Sequence, residues 1–241
     1  MNTSSAPPSE IAEAGLSDTM HLSNGVVVKL EAIKQSEFGA APESIDSPLI
    51  TPDDSPTADW ESISRSKILQ DSARVRLRDS TLLLKPSRAA PVRLMSGIPA
   101  GSDETSVERY TFLGTLHPLP YWLVAIGGYC GGHYLLVSQE TGIQTHLLEW
   151  PIVSPDARLL ACGKSVASVG DGGLEVWEIR RDYSLRVLYG GSGYTQHASG
   201  VSALRWADNH TLLLTQTVEE PTNEKDENGI SVKYVKLRLP M

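Results

Sequence analysis

From Arg74 to the C-terminus the chain is a succession of short apolar runs, each closed by turn residues. "ARVRLRDSTLLLKP" alternates Val75 and Leu77 with Arg74, Arg76 and Arg78, as a half-buried strand does. "APVRLMSG" follows and reads as its partner. Then come "RYTFLGTL", "YWLVAIGGY", "HYLLVSQ", "IQTHLLEW", "RLLACG", "SVASVG", "LEVWEI", "LRVLYG", "SALRWA", "TLLLTQTV" and "ISVKYVKLRL". Turn signals separate them at Glu140–Gly142, Ser154–Asp156, Asp171–Gly173, Asp208–Asn209 and Asn228–Gly229. Many short strands at this spacing predict an all-β fold of antiparallel, blade-like sheets, with a largely irregular acidic N-terminal region. The organisation read from these patterns is a disordered leader over 1–21, an acidic region with a linker and a short helix over 22–71, and a β-domain over 72–241.

Before Arg74 the texture differs. "NGVVVKLEAI" is a strand candidate behind an Asn-Gly turn signal. "GAAPESIDSPLITPDDSPTADW" is Pro-rich and acidic, and reads as a linker. "TADWESISRSKILQDSA" is the helix candidate, with Thr57 or Asp59 as its cap. Residues 1–60 hold ten Asp or Glu and two Lys, so the whole net charge of −8 lies there. The remaining chain balances nineteen acids against nineteen bases. Nucleic-acid binding needs a basic surface that releases counterions, and no basic block is present, so no nucleic-acid partner is expected. No apolar run approaches the ~20 residues of a membrane span, and the N-terminus does not read as an intact signal peptide. The compartment stays open between the cytoplasm and a mature secreted or periplasmic chain.

Three segments can be laid over one another with a period of roughly 40 residues. They begin at "FLGTLHPLPYWLVAIGGYCGGHYLLVSQ", "PIVSPDARLLACGKSVASVGDGGLEVWEI" and "VSALRWADNHTLLLTQTV". Each reads as four strands, the third with the charged insertion "EEPTNEKDEN". "SPDARLLACG" followed by "GGLEVWEI" resembles the WD40-like β-propeller repeat, in which a Ser-Pro-Asp turn precedes an apolar strand and a later strand ends in Trp. The unit beginning "YTFLGTLHPLPYWLVAIGGYCGG" is similar to propeller-like sequences of bacterial secreted proteins and lipoproteins. The resemblance spans residues 110–241. It departs from the repeat at Trp177, which Glu178 follows where the repeat has Asp. It implies four-stranded blades, with either Arg74–Gly97 supplying a divergent fourth or the sheets stacking openly.

Function is carried by few side chains. Cys130 and His133 have C-x-x-H spacing, but zinc needs two further ligands, and His117, His146 and Cys162 form no second compact pair. One Cys130–Cys162 bridge stays open beside two free thiols. No G-x-S-x-G, phosphate-binding loop or dinucleotide fingerprint occurs, and no cofactor is expected. Trp122, Trp150, Trp177 and Trp206 lie in or beside strands and read as core; a carbohydrate platform would need two of them exposed on one face. Two Gly-rich stretches, Tyr129–His133 and Gly190–Gly200, combine open backbone with aromatic and imidazole groups. Tyr129, His133, Tyr194 and His197 are the candidate contacts of a non-catalytic scaffold that binds a protein or ligand through inter-blade loops. Two alternatives are carried forward: a hydrolase with a His/Cys or acidic site at a sheet-end cleft, and a secreted envelope protein of structural kind.

Overall fold

The computed structural model describes residues 19–40, 60–98, 108–128, 131–164, 173–192, 199–219 and 230–240. Residues 1–18 of the leader expected over 1–21, the Pro-rich acidic stretch 41–59 and the charged insertion 220–229 lie outside them; Thr19–His21, expected in that leader, forms a strand. Sixteen strands and two helices are formed among the described residues. In chain order they are β1 (Thr19–His21), β2 (Val27–Ala32), α1 (Gln35–Ala40), α2 (Trp60–Gln70), β3 (Val75–Arg78), β4 (Thr81–Leu84), β5 (Val92–Met95), β6 (Arg109–Thr115), β7 (Tyr121–Gly128), β8 (Gly131–Ser138), β9 (Gln144–Leu147), β10 (Ile152–Val153), β11 (Leu159–Lys164), β12 (Gly173–Ile179), β13 (Leu185–Ser192), β14 (Ser199–Trp206), β15 (Thr211–Glu219) and β16 (Ile230–Arg238).

The strands pair antiparallel into four sheets, none closed into a barrel. Sheet I is β3-β4-β5, sheet II is β6-β7-β8-β9, and sheet III is β10-β11-β12-β13. Sheet IV runs β1-β2-β16-β15-β14. The first two units read from the sequence each become one four-stranded meander. The third differs from its expectation: it supplies only β14, β15 and β16. The fourth place is taken by β2, which pairs Leu30 with Leu237 and Ala32 with Val235. Ladder groups on β16 would otherwise face solvent as an open edge, and the N-terminal strand closes it. The Asn-Gly signal acts as read. Gly25 has φ 82°, and the Asn24 carboxamide oxygen accepts the Val26 N–H at 3.1 Å, turning β1 back on β2.

Alternation distributes the side chains over three cores. On β7, Trp122, Val124 and Ile126 enter the core shared with sheet I, while Tyr121 and Leu123 enter the core shared with sheet III. On β8, Leu135 and Val137 go one way and Tyr134 and Leu136 the other. On β11, Leu160 and Cys162 face sheet II, and Ala161 faces sheet IV. Val28, Leu212, Leu214, Val235 and Leu237 complete the third core. The sheets therefore pack in chain order, I on II on III on IV. The approach of III and IV is close: a Cβ at Gly163 would lie 2.7 Å from Val201 Cγ1 and 2.8 Å from Leu204 Cδ1.

Helix α2 forms where the sequence placed it and covers β6, the edge strand of sheet II. Ser64, buried, accepts the Phe112 N–H at 3.2 Å. At its end, Asp71 accepts the Trp122 indole N–H at 2.8 Å. Arg74 stacks on that indole, 4.7 Å from the ring centroid, and donates to the Gln139 side-chain oxygen at 3.2 Å and the Lys85 carbonyl at 3.3 Å. One polar network thus ties α2, β3 and sheet II together. Helix α1, not foreseen in the sequence, lays Phe38 against Tyr234 and beneath Arg205 on the outside of sheet IV.

Two substitutions test the packing by denaturant unfolding. Gly163→Ala should destabilise by about 1–3 kcal/mol, because Val201 and Leu204 must shift. Trp122→Phe should cost a similar amount, about 1–3 kcal/mol, by leaving the Asp71 carboxylate without its donor. Unchanged midpoints in both would mean that sheets III and IV, or α2 and sheet II, do not meet as described.

Candidate functional site

Each meander sends its connections alternately to two ends. Tight turns, 116–120, 139–143, 154–158, 180–184 and 207–210, collect at one end. The other end carries the 148–151 connection and the strand ends Gly128, Gly131, Lys164, Gly173, Ser192, Ser199, Glu219 and Ile230, fixed by the pairing registers. Tyr129, Tyr194 and His197 themselves lie outside the described residues. His133 is described, exposed near the start of β8 and opposite Ile126.

His133 shares its face of sheet II with His146, because Leu135, two residues on, pairs with His146. That face, which also carries Leu135, turns toward sheet I; Lys164 and Glu175 lie on sheet III, beyond the other face of sheet II, and act on His133 through their charge. Desolvation holds the His133 imidazole below its ordinary pKa, Lys164 and His146 push in the same direction, and Glu175 opposes them. At neutral pH the ring is therefore an uncharged donor and acceptor. Lys164 is only 6% exposed, and among the described residues no carboxylate pairs with it.

Cys162 is a free and fully buried thiol, so the bridge to Cys130 left open by the sequence is not formed. Its S–H donates to Glu175 Oε2 at 3.2 Å, and the same oxygen accepts the Leu148 N–H at 3.0 Å. Burial raises the thiol's pKa well above its ordinary value, and the Glu175 charge raises it further. A nucleophile needs the thiolate, so Cys162 is a packing group and Glu175 a clasp on the 148–151 connection. Among the described residues no three or more His, Cys, Asp or Glu side chains are placed to hold a metal ion. His117, one of the zinc candidates, lines a cleft between α2 and β6 at the opposite end of sheet II from His133. Cys130 lies outside the described residues.

The tight-turn end holds a cleft that no sequence motif announced. About 280 Å³ in volume, it lies between sheets III and IV, bordered by Asn24, Arg158, Glu178, Arg186 and His210. Its walls are set by turn chemistry. Ser154 Oγ donates to Asp156 at 2.8 Å and accepts the Leu159 N–H at 2.9 Å, which fixes the Ser-Pro-Asp turn that presents Arg158. Asp208 accepts the N–H groups of His210 (2.8 Å) and Thr211 (2.7 Å), and these bonds hold its carboxyl below the usual range. Arg186 is spent on Glu178, 2.7 Å away. His210 Nδ1 is buried without a hydrogen-bond partner.

The tryptophans go to packing. Trp122 and Trp206 are buried, and Trp150 and Trp177 lie half-buried against the core between sheets II and III. None of these four is exposed, so they form no carbohydrate platform. Comparison with protein-family models, with curated proteins and with solved structures finds no match to this chain.

The electrostatics of the loop end are open to titration. NMR of the imidazole carbons should show His133 titrating below 6.5. Lys164→Met should raise that value and Glu175→Gln should lower it, since one removes a repelling cation and the other a stabilising anion. Indifference to both changes would separate His133 from sheet III.

Proposed function

We propose that the protein is a non-catalytic binding scaffold, an incomplete propeller whose four sheets are blades, and that it recognises a partner protein with the loop end of sheets II and III. The observation that carries this reading is Lys164. It is 6% exposed and makes no ion pair among the described residues, so an incoming anionic group would be its partner. His133 stands at the same end of the scaffold, on the other face of sheet II, as an uncharged donor or acceptor. The strand ends that flank Tyr129, Tyr194 and His197 in the chain, Gly128, Gly131, Ser192 and Ser199, belong to this end. Two features support the propeller reading: the sheets follow one another in chain order, and β2 enters the C-terminal sheet. The chemistry at this end needs no cofactor, and the thiol nearest to it, Cys162, is sealed by burial. That sealing weighs against the hydrolase alternative in its Cys162 form.

Affinity capture from lysate and culture supernatant, read by mass spectrometry, tests the reading. The unaltered chain should retain a stoichiometric partner. Lys164→Met, which keeps the aliphatic stem, should reduce capture about tenfold, the effect of losing one charge-assisted contact. Alanine at Tyr194 and His197 should reduce it further. Equal capture by all variants would place recognition elsewhere.

A further inference from the structure

Sheet I ends the stack, and its two faces differ. Residues directly opposite each other in an antiparallel pair share a face. Val75, Leu84 and Val92 form one rung, and Leu82 and Leu94 another, turned toward sheet II. The alternate rungs are Arg76–Leu83–Arg93 and Arg78–Thr81–Met95. Arg76, Arg78 and Arg93 are exposed, Met95 is 71% exposed, and among the described residues no carboxylate pairs with any of the three guanidinium groups. Asp79, next to Arg78, sits at the tip of the β3–β4 hairpin, where its φ of 54° belongs to the turn.

The geometry points to a docking surface for an acidic, strand-like segment of a partner protein on this outer face. Arg76 and Arg78 are two residues apart on one strand, about 7 Å, the spacing of alternate side chains in an extended peptide. Arg76 and Arg93 stand on either side of β4, about 10 Å apart. Carboxylates at alternate positions of a bound strand would meet Arg76 and Arg78 in register, each with the two-pronged geometry that guanidinium offers. Leu83 and Met95 lie between the arginines and suit small apolar residues on the same segment. A long polyanion fits less well. The rungs carry no aromatic ring for a base to stack on, and three arginines on two short rungs make no extended basic track for a phosphate backbone. The surface belongs to a different sheet from Lys164, so its test stands apart from that of the loop end.

The test uses the full chain and a short fluorescent peptide alternating Glu and Val, read by anisotropy. Binding should weaken as salt is raised. It should fall at least about tenfold in Arg76→Gln/Arg93→Gln. Arg181→Gln, an exposed cation in the β12–β13 turn, should bind as the unaltered chain does. Both variants change exposed side chains, and circular dichroism checks that they fold. No binding by the full chain, or equal binding by the double variant, would overturn the proposal. So would a mixed-sequence oligonucleotide that binds more tightly than the peptide with the same dependence on Arg76 and Arg93.

Discussion

The structure depends on the burial of both faces of its two middle sheets. A sheet with one wet face reads as strict alternation, whereas a sheet covered on both sides must be apolar at nearly every position. Tyr121, Trp122, Leu123 and Val124 on β7 are all buried, as are Tyr134 to Val137 on β8 and Leu159 to Cys162 on β11. Odd and even positions serve different neighbours. Neither middle sheet can open without exposing two cores. The end sheets carry the asymmetry that remains: sheet I turns arginines outward, and sheet IV is covered by α1.

This constraint sorts the polar chemistry. Ionisable groups that fall inside the stack are tied to structure. Asp71 and Arg74 fix the Trp122 indole, and Glu175 joins the Cys162 thiol to the 148–151 connection. Groups with freedom to meet another molecule lie at the ends of the stack or on its outermost face. Lys164 and His133 are at the loop end, and the arginine rungs are on sheet I. Recognition at the periphery of a rigid interior is the division of labour that such a scaffold permits.

Much of this was legible in the residues because it is local. The strands after Arg74, the Ser-Pro-Asp turn, the α2 segment and the alternation along β8 follow from periodicity and turn chemistry within a few residues. What was hidden is non-local. The third unit ends with β16, and nothing in "ISVKYVKLRL" says that Val27–Ala32 will pair with it across most of the chain. Helix α1 is six residues long and owes its place to Phe38 packing on Tyr234, which its own sequence does not announce. Lys164 ends a run, "LLACGK", in which a terminal lysine reads as a solvated cap; only the approach of neighbouring elements buries it. Of the sequence-favoured contacts, His133 alone lies among the described residues, and its electrostatics are set by desolvation first and by Lys164 and Glu175 on another sheet after it.

The central claim is that the four sheets are held by shared cores as one unit. Native-state hydrogen exchange at residue resolution tests it most directly. The amides of β7, β8, β11 and β12, and those of β2 bonded to β16, should exchange only through a common global opening, with one free energy. Separate opening free energies for sheet II and sheet III, or a freely exchanging β2, would show sheets that stand alone and would contradict the account.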